Sequence, residues 1–386
     1  MIRKQKINIH VYPGTLLFET RMYKIANSIN KLNIFDKIYL LGINNGQLQE
    51  EESLEKNIII KRLDMNQSSW LMKGLFSKIR NVLKLSKLTF TFLIKKNPSV
   101  VHAHNLASLP ILIIYKLFYG CKVVYDTHEL ETERSMWGKL ETFLAKIFEF
   151  IFIYFADEVV VVNKPIAKFY KDKYSIKPQI INNVPKYFDP VSSNYLKEKF
   201  GISKNKKLFI FIGSLNQNRG IEEYINYFTE TNLDICLVFL GDGPLKEFVN
   251  DSQKNSEKIF LHDRVEYDKI IQVVSSADYS ITILRNGNPA LSHEYYMANK
   301  LFESMMSGIP ILSGGMKYEA KFVNDNYVGV DIKFDNNKPK IDEAINSIIK
   351  KDYQEMKNNC LKLAKTYNWE KQEIILNKYM KKLFQV

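Results

Sequence analysis

The sequence predicts an α/β protein of two Rossmann-like domains, and three observations carry that expectation. At 386 residues the chain is too long for one ordinary domain and fits two of about 150 to 200. Its 46% hydrophobic content is enough to build two full cores. The order of apolar strand, glycine turn, helix and strand also begins twice, at Ile7 and again at Leu208.

Charge and cysteine usage narrow the class. The chain carries 55 basic against 42 acidic residues, a net +13 that implies an anionic partner: nucleic acid, acidic lipid or phosphorylated substrates. Cys121, Cys236 and Cys360 are far apart and in no metal-binding spacing, which favours a reducing cytoplasm over zinc or disulfides. The start, M-I-R-K-Q-K-I-N-I-H-V-Y, is basic without a long apolar core or cleavage site, so it reads as the lead into a strand. No window reaches about 18 apolar residues free of charge, and no membrane span is expected.

The first half opens with the alternating strand Ile7 to Tyr12, which ends at Pro13-Gly14. A helix pattern follows from about Phe18 to Leu32, then the strand Ile38 to Gly42. There is no G-x-G-x-x-G, so a dinucleotide oxidoreductase loses its main support. Arg21 either points into a ligand crevice or makes a surface ion pair. Residues 61–96 hold nine Lys/Arg against one Asp. Lys73, Arg80, Lys84 and Lys87 share one helical face, while Leu71, Leu75, Ile79 and Val82 take another, with Trp70 at the entry. Such a helix suits an anionic membrane surface or packs on a core with its basic face solvated. Nucleic acid is disfavoured, because stacking aromatics are not interleaved with the charges.

Two strand ends then carry histidines. Ser99 to His104 closes on H-x-H, and His104 is a crevice candidate while His102 packs inside. The strand Cys121 to Tyr125 runs into Asp126-Thr127-His128-Glu129-Leu130, which places His128 at the same kind of position. Trp137 to Phe155 is a strongly apolar helix, with Phe143, Ile147, Phe150, Ile151 and Tyr154 at helical spacing. Charged residues interrupt it, so it is buried or touches a membrane without spanning it. Val159 to Asn163 and Ile180 to Pro185 read as the closing strands of this half, and the loop Lys186 to Asn194 as the boundary.

The second half restarts with Leu208 to Ser214, and Arg219-Gly220 opens the next helix, well placed for a bound diphosphate. Ile235 to Leu240 is a strand followed by G-x-G-P at Gly241 to Pro244, and Ile259 to Val265 forms the next strand and loop, with Arg264 near its end. Tyr279 to Leu284 leads into a polar loop, Arg285 to Ser292. Met297 to Gly308, M-A-N-K-L-F-E-S-M-M-S-G, is the most informative run. Leu301, Phe302, Met305 and Met306 form a packed helical face, ended by Gly308 and Pro310. Asn299 and Lys300 stand at the helix start, which favours phosphate. Glu303, one turn in, can accept two hydrogen bonds from a vicinal diol such as a ribose.

N-K-L-F-E-x-M-x-x-G-x-P closely resembles the nucleotide-sugar site of glycosyltransferase family 4, the retaining group with the GT-B fold; D-x-H-E-L and G-x-G-P also resemble that family. The resemblance implies two Rossmann-like domains facing across a cleft. They would span 1–187 on the acceptor side and 188–365 on the nucleotide-sugar side, with 366–386 crossing back as a Trp-led helix onto the first. It implies Glu303 on the donor ribose, with Asn299, Lys300 and Leu301 at the diphosphate and His128 beside the transferred sugar. Gly14 and Thr15 fall in the first loop, where one of the two usual glycines is missing. Ser214 and Arg219 occupy positions where the family usually has two cations, so one is lost. Gly241 and Arg264 fall on the nucleotide side. Where many relatives have a first glutamate eight residues before the second stands Tyr295, with Glu294 beside it, and both are candidates for sugar contacts.

The expected reaction is transfer of a sugar from a nucleotide diphosphate sugar, a UDP-sugar foremost, to a hydroxyl of a lipid-linked or polysaccharide acceptor, with retention. His128, Arg219 and Lys300 would be the catalytic groups. No close carboxylate pair suggests a double displacement, and no Asp-x-Asp suggests an obligatory metal. Peripheral attachment to the inner face of a cell membrane follows from 61–96 and 137–155. A nucleotide-sugar epimerase and an inactive sugar- or membrane-binding relative are the alternatives.

Overall fold

Strands Ile7–Val11 (β1), Lys37–Asn44 (β2), Glu51–Glu55 (β3), Ile58–Asp64 (β4), Val100–Ala103 (β5), Lys122–Thr127 (β6), Glu158–Val161 (β7) and Gln179–Ile180 (β8) form one sheet in the computed structural model. The structure describes residues 5–17, 19–65, 75–133, 138–285, 291–297 and 299–384. The chain divides into two compact units, residues to Asn183 with those from Lys371 on, and Val184–Glu370.

In the first unit the strand order is β3-β4-β2-β1-β5-β6-β7-β8, all parallel except the β3–β4 pair. The β3–β4 hairpin was not expected from the sequence. It places Lys61 and Arg62 on a strand, not on the basic helix. Central strands covered on both faces need apolar residues throughout. β1 is buried at every position yet carries Asn8 and His10, two residues apart and so on one face. The C-terminal helix Trp369–Phe384 joins this unit from Lys371 on, with Phe384 edge-on to Phe35 and Lys31 paired to Glu373 at 2.9 Å.

Helix boundaries follow local chemistry. Lys164–Tyr174 starts with Asn163, whose side chain accepts from the Ile166 amide, has Pro165 in its first turn, and ends on the left-handed Ser175. Two helices differ from their sequence reading. Helix Leu75–Lys96 turns Leu85, Thr89 and Leu93 inward, whereas Ile79 and Val82, expected on an apolar packing face, are exposed together with Leu83. Trp70, Leu71 and Lys73 lie outside the described residues, as do the side chain of Leu75 and Phe18 of the first helix pattern. Helix Lys139–Phe152 is inverted relative to a core helix. Ala145 and the charged Glu149 are its buried residues, while Leu140, Phe143, Phe150 and Ile151 are all about half exposed. Trp137, expected to open it, lies outside the described residues.

Glu149 explains the inversion. Its carboxylate is fully buried and accepts hydrogen bonds from Tyr125 (2.9 Å), Tyr170 (2.6 Å) and Tyr174 (2.5 Å). Three hydroxyl donors replace the water it loses. Burial, then the nearby carboxylate, holds the Tyr125 and Tyr170 phenols well above their ordinary range.

In the second unit, Lys207–Ile212 (β9), Ile235–Leu240 (β10), Ile259–His262 (β11), Tyr279–Ile281 (β12), Ile311–Ser313 (β13) and Gly329–Asp331 (β14) form a parallel sheet ordered β11-β10-β9-β12-β13-β14. Alternate residues feed separate cores. Phe209, Phe211, Leu237 and Phe239 join one face, and Leu208, Ile210, Ile212 and Val238 the other.

Candidate functional site

Each unit gathers its chemistry at the carboxyl ends of its strands, where an open α/β sheet binds ligands. In the second unit the loops after β9 and β10 are zipped together. Gly213 donates to the Leu240 carbonyl and Leu215 to that of Asp242. A Cβ on Gly241 would stand 1.8 Å from the Gly213 carbonyl oxygen, so only glycine fits there. Gly220, at φ +78, packs against Leu284, where a side chain would clash at 2.2 Å. This packing turns the 213–220 loop back on itself. A guanidinium nitrogen of Arg219 consequently lies 4.0 Å from where a Gly213 side chain would begin. Ser214 is half-buried in the same loop.

Helix Asn299–Met306 lies in the connection between the parallel strands β12 and β13, which sets its start on the side of the sheet where β12 ends. Leu301, Phe302, Met305 and Met306 are buried, which fixes the outward face. Lys300 Nζ lies 2.8 Å from Glu303 Oε2; the lysine is 30% exposed and the glutamate 3%. Asn299 is half-buried at the first turn, and Ala298 lies outside the described residues. Burial first, and then the Glu303 charge, push the Tyr267 phenol up. Arg264 is exposed after β11. Glu294 pairs with Lys317 at 3.2 Å and Tyr295 packs on the Tyr318 ring at 4.8 Å, so both engage helix Lys317–Asp325. The rest of the polar loop, 286–290, lies outside the described residues.

The first unit brings together the ends of β1, β5 and β6. Gly14 accepts from the Ile43 amide, and Thr15 accepts from the Arg62 guanidinium at 2.9 Å. Arg62 also holds Glu52 and the Gln49 carbonyl, so it clamps the first loop. Arg21 is buried, not a surface ion pair. It donates to Asp126 Oδ1 (2.7 Å) and Oδ2 (3.1 Å) and to the Ile181 carbonyl (2.7 Å). Burial alone would raise the Asp126 carboxyl, but Arg21 and then His104 hold it well below the usual carboxylate range. His104 is buried too, with Nδ1 3.3 Å from Asp126 Oδ2 and 3.2 Å from His128 Nε2. His128 alone among these side chains is partly open, at 22%. Arg21 and His104 therefore reach a ligand only through their neighbours.

Four participants were not singled out from sequence. Asp126 and His10 complete the histidine cluster, Arg62 sets the first loop, and Glu319 is buried against Thr282 and Ser313 behind Gly314. Two left a signal: Asp126 opens the D-x-H-E-L run, and Asn8 and His10 are polar residues at period two in an otherwise apolar interior strand.

Comparison with known proteins follows this division. The family model "Glycosyltransferase Family 4" matches residues 46–190, and "Glycosyl transferases group 1" matches 193–367. Fold and matches together define a glycosyltransferase of the GT-B type. An uncharacterized glycosyltransferase of Methanocaldococcus jannaschii is 23% identical over 307 residues, 74% of this chain and 71% of that protein. Among solved structures, sucrose-phosphate synthase of Thermosynechococcus elongatus superimposes with a TM-score of 0.75 at 11% identity, over 99% of both chains. Anabaena HepE in complex with UDP-glucose gives 0.69 at 12% identity, over 98% of this chain and 100% of that one.

Proposed function

We propose that the protein transfers a sugar, with retention, from a nucleotide diphosphate sugar to a hydroxyl of a lipid-linked or polysaccharide acceptor. The observation that carries this reading is the Lys300–Glu303 pair at the start of a packed helix, on the sheet edge that also holds Arg219. A diphosphate at that edge meets backbone N–H groups and two cations. Glu303 is then free to accept from the ribose hydroxyls. Arg219 and Lys300 stabilise the negative charge that grows on the leaving diphosphate, which makes an obligatory metal unnecessary. Within the second unit, Ser214, Gly241, Asn299, Arg264 and the backbone of the buried Leu301 line the donor. Within the first, His128 is assigned to a sugar, with Gly14 and Thr15 in the loop after β1. The UDP-glucose complex of HepE favours a UDP-sugar.

The acceptor reading rests on the outer surface of the first unit. Exposed Phe143, Phe150 and Ile151 stand on one helix, Ile79 and Leu83 on another, and Leu117 and Phe118, at 66% and 77% exposure, end a third, Leu109–Tyr119. Exposed Lys78, Arg80 and Lys87 accompany them. Apolar side chains with basic neighbours match an anionic bilayer interface. Among the described residues no helix is long and apolar enough to cross a membrane. The protein would act as a peripheral enzyme on the cytoplasmic face.

Thermal unfolding against nucleotide sugars tests the donor. Ligand at about 100 times its dissociation constant adds roughly 2.7 kcal/mol. A shift of several degrees with one donor, followed by transfer to an acceptor with the anomeric configuration kept, is expected. Sugar conversion without acceptor would point to an epimerase, and binding without turnover to an inactive relative.

A further inference from the structure

The geometry assigns His10 and His104 to a buried relay that sets the tautomer of His128, with His10 as its distal positioning residue. The kinetic consequence rests on the transferase reading above; the tautomer assignment rests on this unit alone. His10 Nδ1 lies 2.8 Å from His104 Nε2. His104 Nδ1 faces both Asp126 Oδ2 and His128 Nε2.

With each ring neutral, donor and acceptor rules give one consistent proton pattern. An ionised carboxylate only accepts, so His104 carries its proton on Nδ1. A neutral imidazole has one N–H, so His104 Nε2 accepts and His10 Nδ1 donates. His10 Nε2 is left as a bare acceptor, and it is a buried atom without a partner. That pattern is the cheaper one, because an orphaned acceptor is better tolerated than an orphaned N–H. Burial, then His102 and His104, keep His10 well below the ordinary imidazole range, which agrees with one proton on its ring. His128 Nε2 accepts from the shared Nδ1–H of His104. Its own proton is thereby confined to Nδ1, the other ring nitrogen.

His10, His102 and His104 also lie close enough to hold a metal, with ligand atoms within 4.8 Å of one another. Their rings are stacked, however, at interplanar angles of 12° to 21°. Lone pairs in near-parallel planes do not converge on one point about 2 Å away. A hydrogen-bonded column is the better description.

Histidine 15N NMR of the full-length protein tests this directly. Nδ1–H tautomers at His10, His104 and His128 are expected, and Nε2–H at His104 overturns the proposal. His10→Phe keeps an aromatic ring and removes the donor; His10→Asn keeps an N–H. The Phe variant should show mixed tautomers at His104 and His128 and lose roughly 10- to 100-fold in kcat, within the range of proton-positioning effects. Its donor-induced thermal shift should be unchanged, and the Asn variant should recover most of the rate. The groups facing the column are His102, Asp126, Arg21, Tyr379 and, against His128, Tyr12. With these intact, the pH profile of kcat should move in the Phe variant only. Equal losses in both variants with His128 unchanged would mean packing, and stoichiometric zinc uptake would mean a metal site; either sinks the relay. If His10→Phe fails to fold, the wild-type tautomers still decide. Correct tautomers without any donor shift would count against the transferase reading, not the relay.

Discussion

Lys300 and Glu303 neutralise each other across 2.8 Å within one helical turn, so the cation and the carboxylate assigned to the donor are stored as a pair. On the proposed reading, a diphosphate would compete for Lys300 and a ribose would take its place at Glu303. Lys300→Met strands a carboxylate that is 3% exposed. Removing one member of a well-buried pair costs about 3 to 5 kcal/mol, and this half-open lysine places the loss below that range. Lys300→Met should therefore lower Tm more than Lys300→Met with Glu303→Gln. Equal Tm values would show that the pair carries no coupling.

Glu303→Ala should cut the donor-induced thermal shift by about half or more. Hydrogen bonds to a charged group contribute about 1.5 to 3 kcal/mol, so donor affinity should fall roughly 10- to 150-fold by titration calorimetry. Arg219→Ala should lower kcat by about 100- to 1,000-fold, as expected for a group that stabilises developing charge. Donor titration at fixed pH separates the two effects.

Acid stability should show two separate windows. His10 and His102 are held neutral, His102 near 3, mainly by burial. A folded value below the unfolded one, about 6.5, means stability is complete above that pH and is lost as pH falls. Each unprotonated histidine adds at most about 1.4 kcal/mol of loss per pH unit below 6.5. Asp126 follows the same sign from about pH 4 downward, since its folded value is depressed. Proton uptake on unfolding, measured by calorimetry in several buffers at pH 5, should fall in His102→Phe. Asp126→Asn should flatten the window below about 4 and, because its charge raises His10 and His102, deepen the upper one slightly.

Glu149→Leu leaves three buried phenols without their acceptor. At about 1 to 3 kcal/mol for each buried group left unsatisfied, urea unfolding should show a loss of about 3 kcal/mol or more. Glu149→Gln keeps one acceptor oxygen and should lose less.

Phe118→Asp with Phe143→Asp should leave Tm nearly unchanged, since both side chains are more than half exposed. The same variant should lose sedimentation with anionic vesicles. Wild-type binding should weaken as salt rises from about 0.01 M to 0.15 M, where the Debye length shrinks to about 8 Å.

What was legible in the sequence was local. Period-two and period-3.6 patterns, the glycine turns and the N-K-L-F-E run act over a few residues, so they placed most of the central strands and the helix Asn299–Met306 with Glu303 one turn in, but not the β3–β4 hairpin or the pairing of Lys300 with Glu303. β10 matches its expected span, Ile235–Leu240. The partners of charged side chains were decided only by tertiary structure. Arg21 and Asp126 are 105 residues apart, His10 and His104 are 94 apart, and Arg62 meets Thr15 across 47. No local period encodes such separations. The helix Lys139–Phe152 is the clearest case: its pattern leaves a buried or a membrane-touching apolar face open, and the fold turns that face outward. Burying Glu149 requires three tyrosines, and two of them come from a helix that begins fifteen residues downstream of it. Which face of an amphipathic helix meets the core depends on what the core offers it, and that is a property of the assembled sheet.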